Sequence, residues 1–335
     1  MRKLKIALIR GDGIGPEVID ATVDVLSNLD SSLEFVMFDA GYEHMKRTGE
    51  QIDDEAIEEI RKLDACLKGP TQTAFGSGTK RGVALRLRES LDLYANVRPI
   101  KARQGVECLF PKTDLIIVRE NTECLYKGLE YRLEKSAFAI RIITELGSER
   151  IARFAFNLAK AENRRKVTAV HKANVLKETC GLFLETCRRV AEEFPEITFE
   201  DAIVDATAMR LVIEPEHFDV IVTTNLFGDI LSDEAAGLIG GLGVAPSGNI
   251  GEKNALFEPI HGSAPDIAGK EIANPSATIL SAVLMLGWLG RPAEADRLEK
   301  ALDHVLAEGE VVTPDIGGKA RTSEMAHAVI DRLYS

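Results

Sequence analysis

Short β-branched runs that alternate with amphipathic stretches constrain this chain more than any other feature. KIALI (residues 5–9) precedes a helical pattern from Glu17 to Leu26, and LEFVMFDA (33–40) precedes another from Asp53 to Leu63. Apolar spacing that passes repeatedly from a strand period to a helix period marks βα units, which build mainly parallel sheets covered by helices. DLIIV (114–118), KVTAVH (166–171) and FDVIVTT (218–224) add further buried-strand candidates. The chain has 335 residues, beyond the size at which a single core keeps growing, so two α/β domains are expected. Residues 126–141 depart from the pattern: apolar and polar positions alternate in a charged setting, as in an antiparallel arm that a partner chain would cover. An ordinary surface hairpin fits that alternation equally well.

Composition narrows the partners. Forty-one basic and 53 acidic residues leave a formal charge of −12, which repels phosphate backbones and anionic lipid. Neither nucleic acid nor membrane is expected as a partner, and an anionic small molecule would need a local basic pocket. The five cysteines are odd in number and form no CxxC pair, so they read as reduced thiols of a cytoplasmic protein. The longest apolar stretches, near Leu238 and over 278–289, fall short of the roughly 20 residues that span a bilayer. The apolar run at residues 6–9 is too short for a signal peptide.

Four local patterns carry chemistry. GDGIGPE (11–17) follows the first strand and opens a helix, but Pro16 stands where a dinucleotide-binding GxGxxG needs its third glycine. The Rossmann reading therefore fails, and a tight strand-to-helix turn with proline in the first helical turn fits better. NLFGDILSDEAAGLIGGLG (225–243) reads as a helix with Asp229 and Asp233 at i and i+4. Their repulsion costs a few tenths of a kcal/mol unless a cation, such as a hard divalent metal, neutralises it. Arg81, Arg86, Arg88, Arg98, Arg103 and Arg119 accumulate in an acidic chain. Of these, VRP (97–99) and VREN (118–121) each place an arginine where an apolar run ends. That is the carboxyl edge at which open α/β sheets bind ligands, and guanidinium forks there grip carboxylates. Lys172 closes a strand near Asn174; beside arginines and a metal it would be pushed toward the neutral form a general base needs.

As a set, RENTECLY (119–126), HKANVL (171–176), NLFGDILSDEAA (225–236), GSAPDIAGK (262–270) and ANP (273–275) resemble the β-decarboxylating dehydrogenases of 3-isopropylmalate, isocitrate and homoisocitrate. The resemblance runs almost end to end. It implies an isopropylmalate/isocitrate dehydrogenase-like, non-Rossmann α/β fold, mainly parallel in its sheet. A discontinuous cofactor-binding domain (1–99 and 241–335) and a central domain (100–240) bearing a dimerisation arm would enclose the active site between them. The implied assembly is a homodimer, with pairing into tetramers left open.

The resemblance also implies the chemistry. Mg²⁺ or Mn²⁺ would be held by Asp229, Asp233 and Asp205 of the partner subunit. Arg88, Arg98 and Arg119 would bind substrate carboxylates, with Asn174 nearby. Lys172 of the partner subunit would take the hydroxyl proton as hydride leaves C2, and Tyr126 would protonate C3 after CO₂ is lost, the metal lowering the hydroxyl pKa and stabilising the enolate. NAD would lie along His261, Gly262, Ser263, Ala264, Pro265, Asp266 and Asn274, with the Asp266 carboxylate favouring NAD over NADP. A non-catalytic regulatory subunit would keep the fold but lose catalytic side chains, and all of them stand here.

In the same family, residues just before the first substrate arginine select the third substituent. Isocitrate enzymes place Ser six and Asn four positions before it, where this chain has Gly82 and Ala84; some homoisocitrate enzymes place Arg three before, where Leu85 stands. Ala84 and Leu85 thus form an apolar wall suited to 3-isopropylmalate. Arg81 stands where bacterial isopropylmalate enzymes tend to carry Glu, and Arg86 is a second cation for a distal carboxylate. The loop from Thr71 to Lys80, with Gly76 and Gly78, leaves the register of this stretch open.

Overall fold

The structure, a computed structural model, describes residues 3–72 and 80–334. Gly76 and Gly78, which bore on the register before Arg88, lie outside the described residues. The chain divides into two compact units, one of residues 1–93, 103–111 and 239–335 and the other of residues 94–102 and 112–238.

In the first unit the strands are β1 (Leu4–Ile9), β2 (Leu33–Phe38), β3 (Ala65–Lys68), β11 (Pro246–Ile250) and β12 (Ala255–Pro259), in the order β2-β1-β3-β12-β11. All neighbours pair in parallel except β11 with β12. Its helices are α1 (Gly15–Leu29), α2 (Tyr42–Thr48), α3 (Asp54–Ile60), α4 (Val83–Ser90), α9 (Ser276–Trp288), α10 (Pro292–Glu308) and α11 (Thr322–Arg332). The apolar stretch of 278–289 is α9, whose Ile279, Leu280, Met285 and Leu286 are enclosed, packed on β3, β11 and β12. Among the described residues no helix is long and apolar enough to cross a membrane.

In the second unit the strands of the main sheet are β4 (Ala95–Lys101), β5 (Asp114–Glu120), β8 (Lys166–His171), β9 (Thr198–Ile203) and β10 (Val220–Thr223), ordered β4-β5-β10-β8-β9. Only β4 runs antiparallel to its neighbour. The helices are α5 (Glu145–Ala161), α6 (Lys177–Ala191), α7 (Val204–Ile213) and α8 (Asn225–Leu238). Residues 126–141 form a 3₁₀ turn followed by the hairpin β6 (Glu130–Leu133) and β7 (Ser136–Ala139), which pair antiparallel. Leu133, Tyr131 and Phe138 of this hairpin are all exposed.

The expected boundary at residues 99 and 100 is displaced. All seven residues of β4 pair with β5, which ties 94–102 to the second unit. Residues 103–111 belong to the first: Arg103 bonds Glu299 and Asp303 of α10, and a Cβ at Gly105 would lie 1.8 Å from the Leu306 carbonyl oxygen. Arg103 is thus a structural residue rather than a ligand for substrate.

Candidate functional site

In the second unit the parallel strands β5, β10, β8 and β9 deliver chemistry at their carboxyl ends. Arg119 sits one residue from the end of β5, level with Thr223 of β10, and α8 begins two residues beyond Thr223. Lys172 follows His171 at the end of β8, and Asp205 opens α7 directly after β9. Arg98 differs from expectation. Because β4 is antiparallel, Arg98 lies mid-strand opposite Ile117 rather than at a carboxyl edge, and only its long side chain reaches α8.

The two arginines converge on one face of α8. Arg98 donates to Asn96 Oδ1 at 2.7 Å, to Ser232 Oγ at 2.5 Å, to Asp233 at 3.2 Å and to Asp229 at 3.3 Å. Arg119, 1% exposed, bonds Asp229 and forks onto Asn225 Oδ1 at 2.7 and 3.0 Å. The Tyr126 hydroxyl also donates to Asp229, and Arg119 stacks over its ring at 4.9 Å. Asn225, Asp229, Ser232 and Asp233 recur at i, i+4, i+7 and i+8, so one helical face presents them all. Gly228 completes the fit: a Cβ there would lie 2.6 Å from Arg119 Cβ, so only glycine lets the arginine lie flat along α8. Asn225, Gly228 and Ser232 were missed by sequence reasoning, although their spacing relative to the aspartates was in plain view.

Charge at this site is unbalanced in a telling way. Partial burial and the neighbouring Asp229 raise the Asp233 carboxyl above its ordinary range, against the pull of Arg98. Side chains of Asp229 and Asp233 remain 34% and 55% exposed, so hard oxygen donors face outward, a donor set that fits Mg²⁺ or Mn²⁺. Among the described residues no three acidic, His or Cys side chains form a metal-binding group. Asp205 does not join the pair; it binds Lys172, whose ammonium holds the Asp205 carboxyl below its usual range. Asn174 is exposed.

The first unit holds the remaining candidates. Arg88, on α4, is buried and donates to Glu258 at 3.2 Å. Ala84 and Leu85 stand one turn earlier on the same helix, half-buried, on the Arg88 face. Arg81 and Arg86 are committed to carboxylates: Arg81 to Glu89, and Arg86 to Asp54, Glu50 and the Ile52 carbonyl.

Residues 261–274 form a loop shaped by the first strand-to-helix turn. Ile14 N–H donates to Ser263 O at 2.9 Å, and a Cβ on Gly13 would meet that oxygen at 1.9 Å. Ile14 and Val18 pack with Ala273, against Ala264 and Ile267, and Glu17 accepts from Gly269 N–H. GDGIGPE is therefore a cradle for this loop, with Pro16 in the first turn of α1. Burial holds the His261 imidazole below its ordinary pKa, so it is neutral near pH 7. Its Nδ1 lies 3.0 Å from Gly262 O and so carries the proton, leaving Nε2 a buried acceptor with no hydrogen-bond partner among the described residues. Asn274 is buried, bonding Asp315 at 3.0 Å and Ser276 N–H at 2.9 Å. Ser263 is buried, whereas Gly262, Pro265 and Asp266 are exposed. A buried imidazole acceptor and an exposed carboxylate on one loop suit a nucleotide with amine and hydroxyl donors.

Residues 5–329 match the family described as isocitrate/isopropylmalate dehydrogenase. The 3-isopropylmalate dehydrogenase of Archaeoglobus fulgidus is 53% identical over 98% of this chain and 99% of its own. The 3-isopropylmalate/3-methylmalate dehydrogenase of Methanocaldococcus jannaschii is 54% identical, covering 98% of each. The isocitrate/homoisocitrate dehydrogenase of Thermus thermophilus is 52% identical over 99% of both. The crystal structure of isocitrate dehydrogenase from Methylococcus capsulatus superposes with a TM-score of 0.96 at 47% identity, covering 99% of this chain and 100% of that one. The chain belongs to the isocitrate/isopropylmalate dehydrogenase family. In class it is an oxidoreductase, a decarboxylating dehydrogenase.

Proposed function

We propose that the chain catalyses NAD-dependent oxidative decarboxylation of a 2-hydroxy-3-substituted dicarboxylate, 3-isopropylmalate being favoured, as a cytoplasmic homodimeric enzyme of leucine biosynthesis. The observation that carries this reading is the convergence of Arg98, Arg119 and Tyr126 on Asp229 and Asp233. Guanidinium forks, a phenol and a carboxylate pair on one helix face are the parts that a hydroxy diacid requires.

Arg88, Arg98 and Arg119 bind the substrate carboxylates, and the depth at which Arg98 and Arg119 are buried fixes their direction. Asp229 and Asp233, with Asp205 of the partner subunit, would hold Mg²⁺ or Mn²⁺, which supplies Lewis acidity to a bound hydroxyl and to developing enolate charge. Lys172 of the partner subunit takes the hydroxyl proton, and Tyr126 returns one to C3. Asp205 and Lys172 are joined by an ion pair in one chain, so a second copy delivers them together. Met209, Val212, Ile213 and Ile230 of α7 and α8 are exposed, an apolar face that supports dimerisation. Residues 261–274 take the NAD adenosine, with Asp266 on the ribose hydroxyls. All five cysteines are free thiols, which suits a reducing compartment.

Commitment of Arg81 and Arg86 to Glu89, Asp54 and Glu50 supports an apolar third substituent over a third carboxylate. The test is kcat/KM of the purified chain with NAD and Mn²⁺ across isopropylmalate, methylmalate, isocitrate and homoisocitrate. Preference for isopropylmalate is expected. Preference for a tricarboxylate would transfer the specificity role to Arg81 or Arg86, and no turnover of any acid would favour a regulatory subunit.

A further inference from the structure

Lys68, at the end of β3, is 1% exposed, and the turnover chemistry above leaves it without a role. Its Nζ lies 2.7 Å from Glu258 Oε2 and donates to the Gly69 carbonyl at 2.8 Å. The other Glu258 oxygen, Oε1, accepts from Arg88 Nη2 at 3.2 Å and from Asn249 Nδ2 at 3.0 Å. Both Glu258 oxygens are thereby engaged, and the two cations hold its carboxyl down at about 2 despite burial. Two buried cations share one carboxylate, since His261 beside them is neutral, so the cluster carries a surplus positive charge. Arg88 Nε is buried with no hydrogen-bond partner among the described residues. A guanidinium tethered by one nitrogen, with another unsatisfied and surplus charge behind it, is prepared for an incoming anion.

We infer that Lys68 is a positioning residue for substrate: by occupying one oxygen of Glu258 it confines Arg88 to the other, leaving the rest of the Arg88 fork for the substrate carboxylate. The inference rests on the proposed role of Arg88 in substrate binding. Without the ammonium, the buried Glu258 carboxylate lacks half its compensation and competes with the substrate for Arg88.

Lys68→Met is therefore expected to raise KM for isopropylmalate roughly tenfold to a hundredfold, the worth of a charge-assisted hydrogen bond. Both kcat and KM for NAD should stay within about threefold of wild type. Adding Glu258→Gln removes the competitor and should bring the substrate KM of the double variant below that of Lys68→Met alone. A merely structural ion pair predicts the reverse order, with losses that accumulate. Should Lys68→Met not fold, Glu258→Asp keeps every charge while withdrawing the carboxylate by one methylene, and the same selective rise in substrate KM is expected. Unchanged substrate KM in the folded variant, or a double variant no better than the single, overturns the inference while wild-type turnover leaves the functional reading standing. Wild type inert toward all four acids removes both.

Discussion

In the first unit Arg88 meets a carboxylate that is itself enclosed, whereas in the second Arg98 and Arg119 meet carboxylates that face outward. Glu258 is 10% exposed and held at both oxygens by Lys68, Arg88 and Asn249; Asp229 and Asp233 are 34% and 55% exposed and share their arginines unevenly. The pKa values of Glu258 and Asp233 move in opposite directions, since cations outweigh burial around Glu258 while desolvation and a like charge prevail around Asp233. One cluster is enclosed and orients Arg88, the side chain proposed above to bind substrate. The other is exchangeable, because solvent or a ligand can replace each partner at modest cost.

Four substitutions break or sharpen that contrast. Asp229→Asn should lower turnover about a thousandfold, the several kcal/mol that metal-borne charge stabilisation is worth. Its melting temperature should fall less than that of any Glu258 variant, because Asp229 is partly solvated. Retained turnover at saturating Mn²⁺ would sink the metal reading of α8. Glu258→Gln should cost about 3–5 kcal/mol in denaturant unfolding, since two cations lose their buried counter-charge.

The same glutamate fixes an acid limit. Its folded pKa, about 2, lies below its ordinary 4.5, so its contribution is complete above about 4.5 and lost as pH falls toward 2. The stability gap between wild type and Glu258→Gln should therefore narrow across that window in acid titrations; a constant gap would show that the charge is not what stabilises.

Leu85→Ser should reduce kcat/KM for isopropylmalate roughly tenfold and leave malate nearly unaffected, as the loss of an apolar wall for one or two methyl groups implies. Equal losses would show that Leu85 does not sense the substituent. The smallest effect is a gain. Asp233 has its pKa raised, so its ionisation opposes folding as pH rises through the folded value. Asp233→Asn should stabilise the chain by a few tenths of a kcal/mol at pH 7 and by nothing below about pH 3.8, which paired melting curves would reveal.

Much of the second unit's site could be read in the sequence because its parts are local. Asp229 and Asp233 share a helix face by spacing alone, and Arg119 and Lys172 end apolar runs that became parallel strands. Arg98 resembled Arg119 on the same criterion yet lies mid-strand, because nothing local says that β4 runs antiparallel. The turn at residues 11–17 read by itself only as a tight strand-to-helix turn; its packing on residues 261–274 makes it a cradle for the loop proposed to take NAD.

Periodicity and motif spacing by themselves determined the α/β class, the helix that carries the aspartates and the family resemblance, because each depends on residues within a few turns of one another. Lys68, Glu258 and Arg88 carry no such signal. Arg88 and Glu258 are 170 positions apart, and Lys68 reads as an ordinary strand-end lysine. The pairing of β3 with β12 brings the lysine to the glutamate, and burial of that pair converts three common charged residues into a cluster with one cation to spare. Tertiary structure decided this, because strand order is set by which apolar faces cover one another over the whole unit, and the energy of an ion pair depends on the solvent that such covering removes.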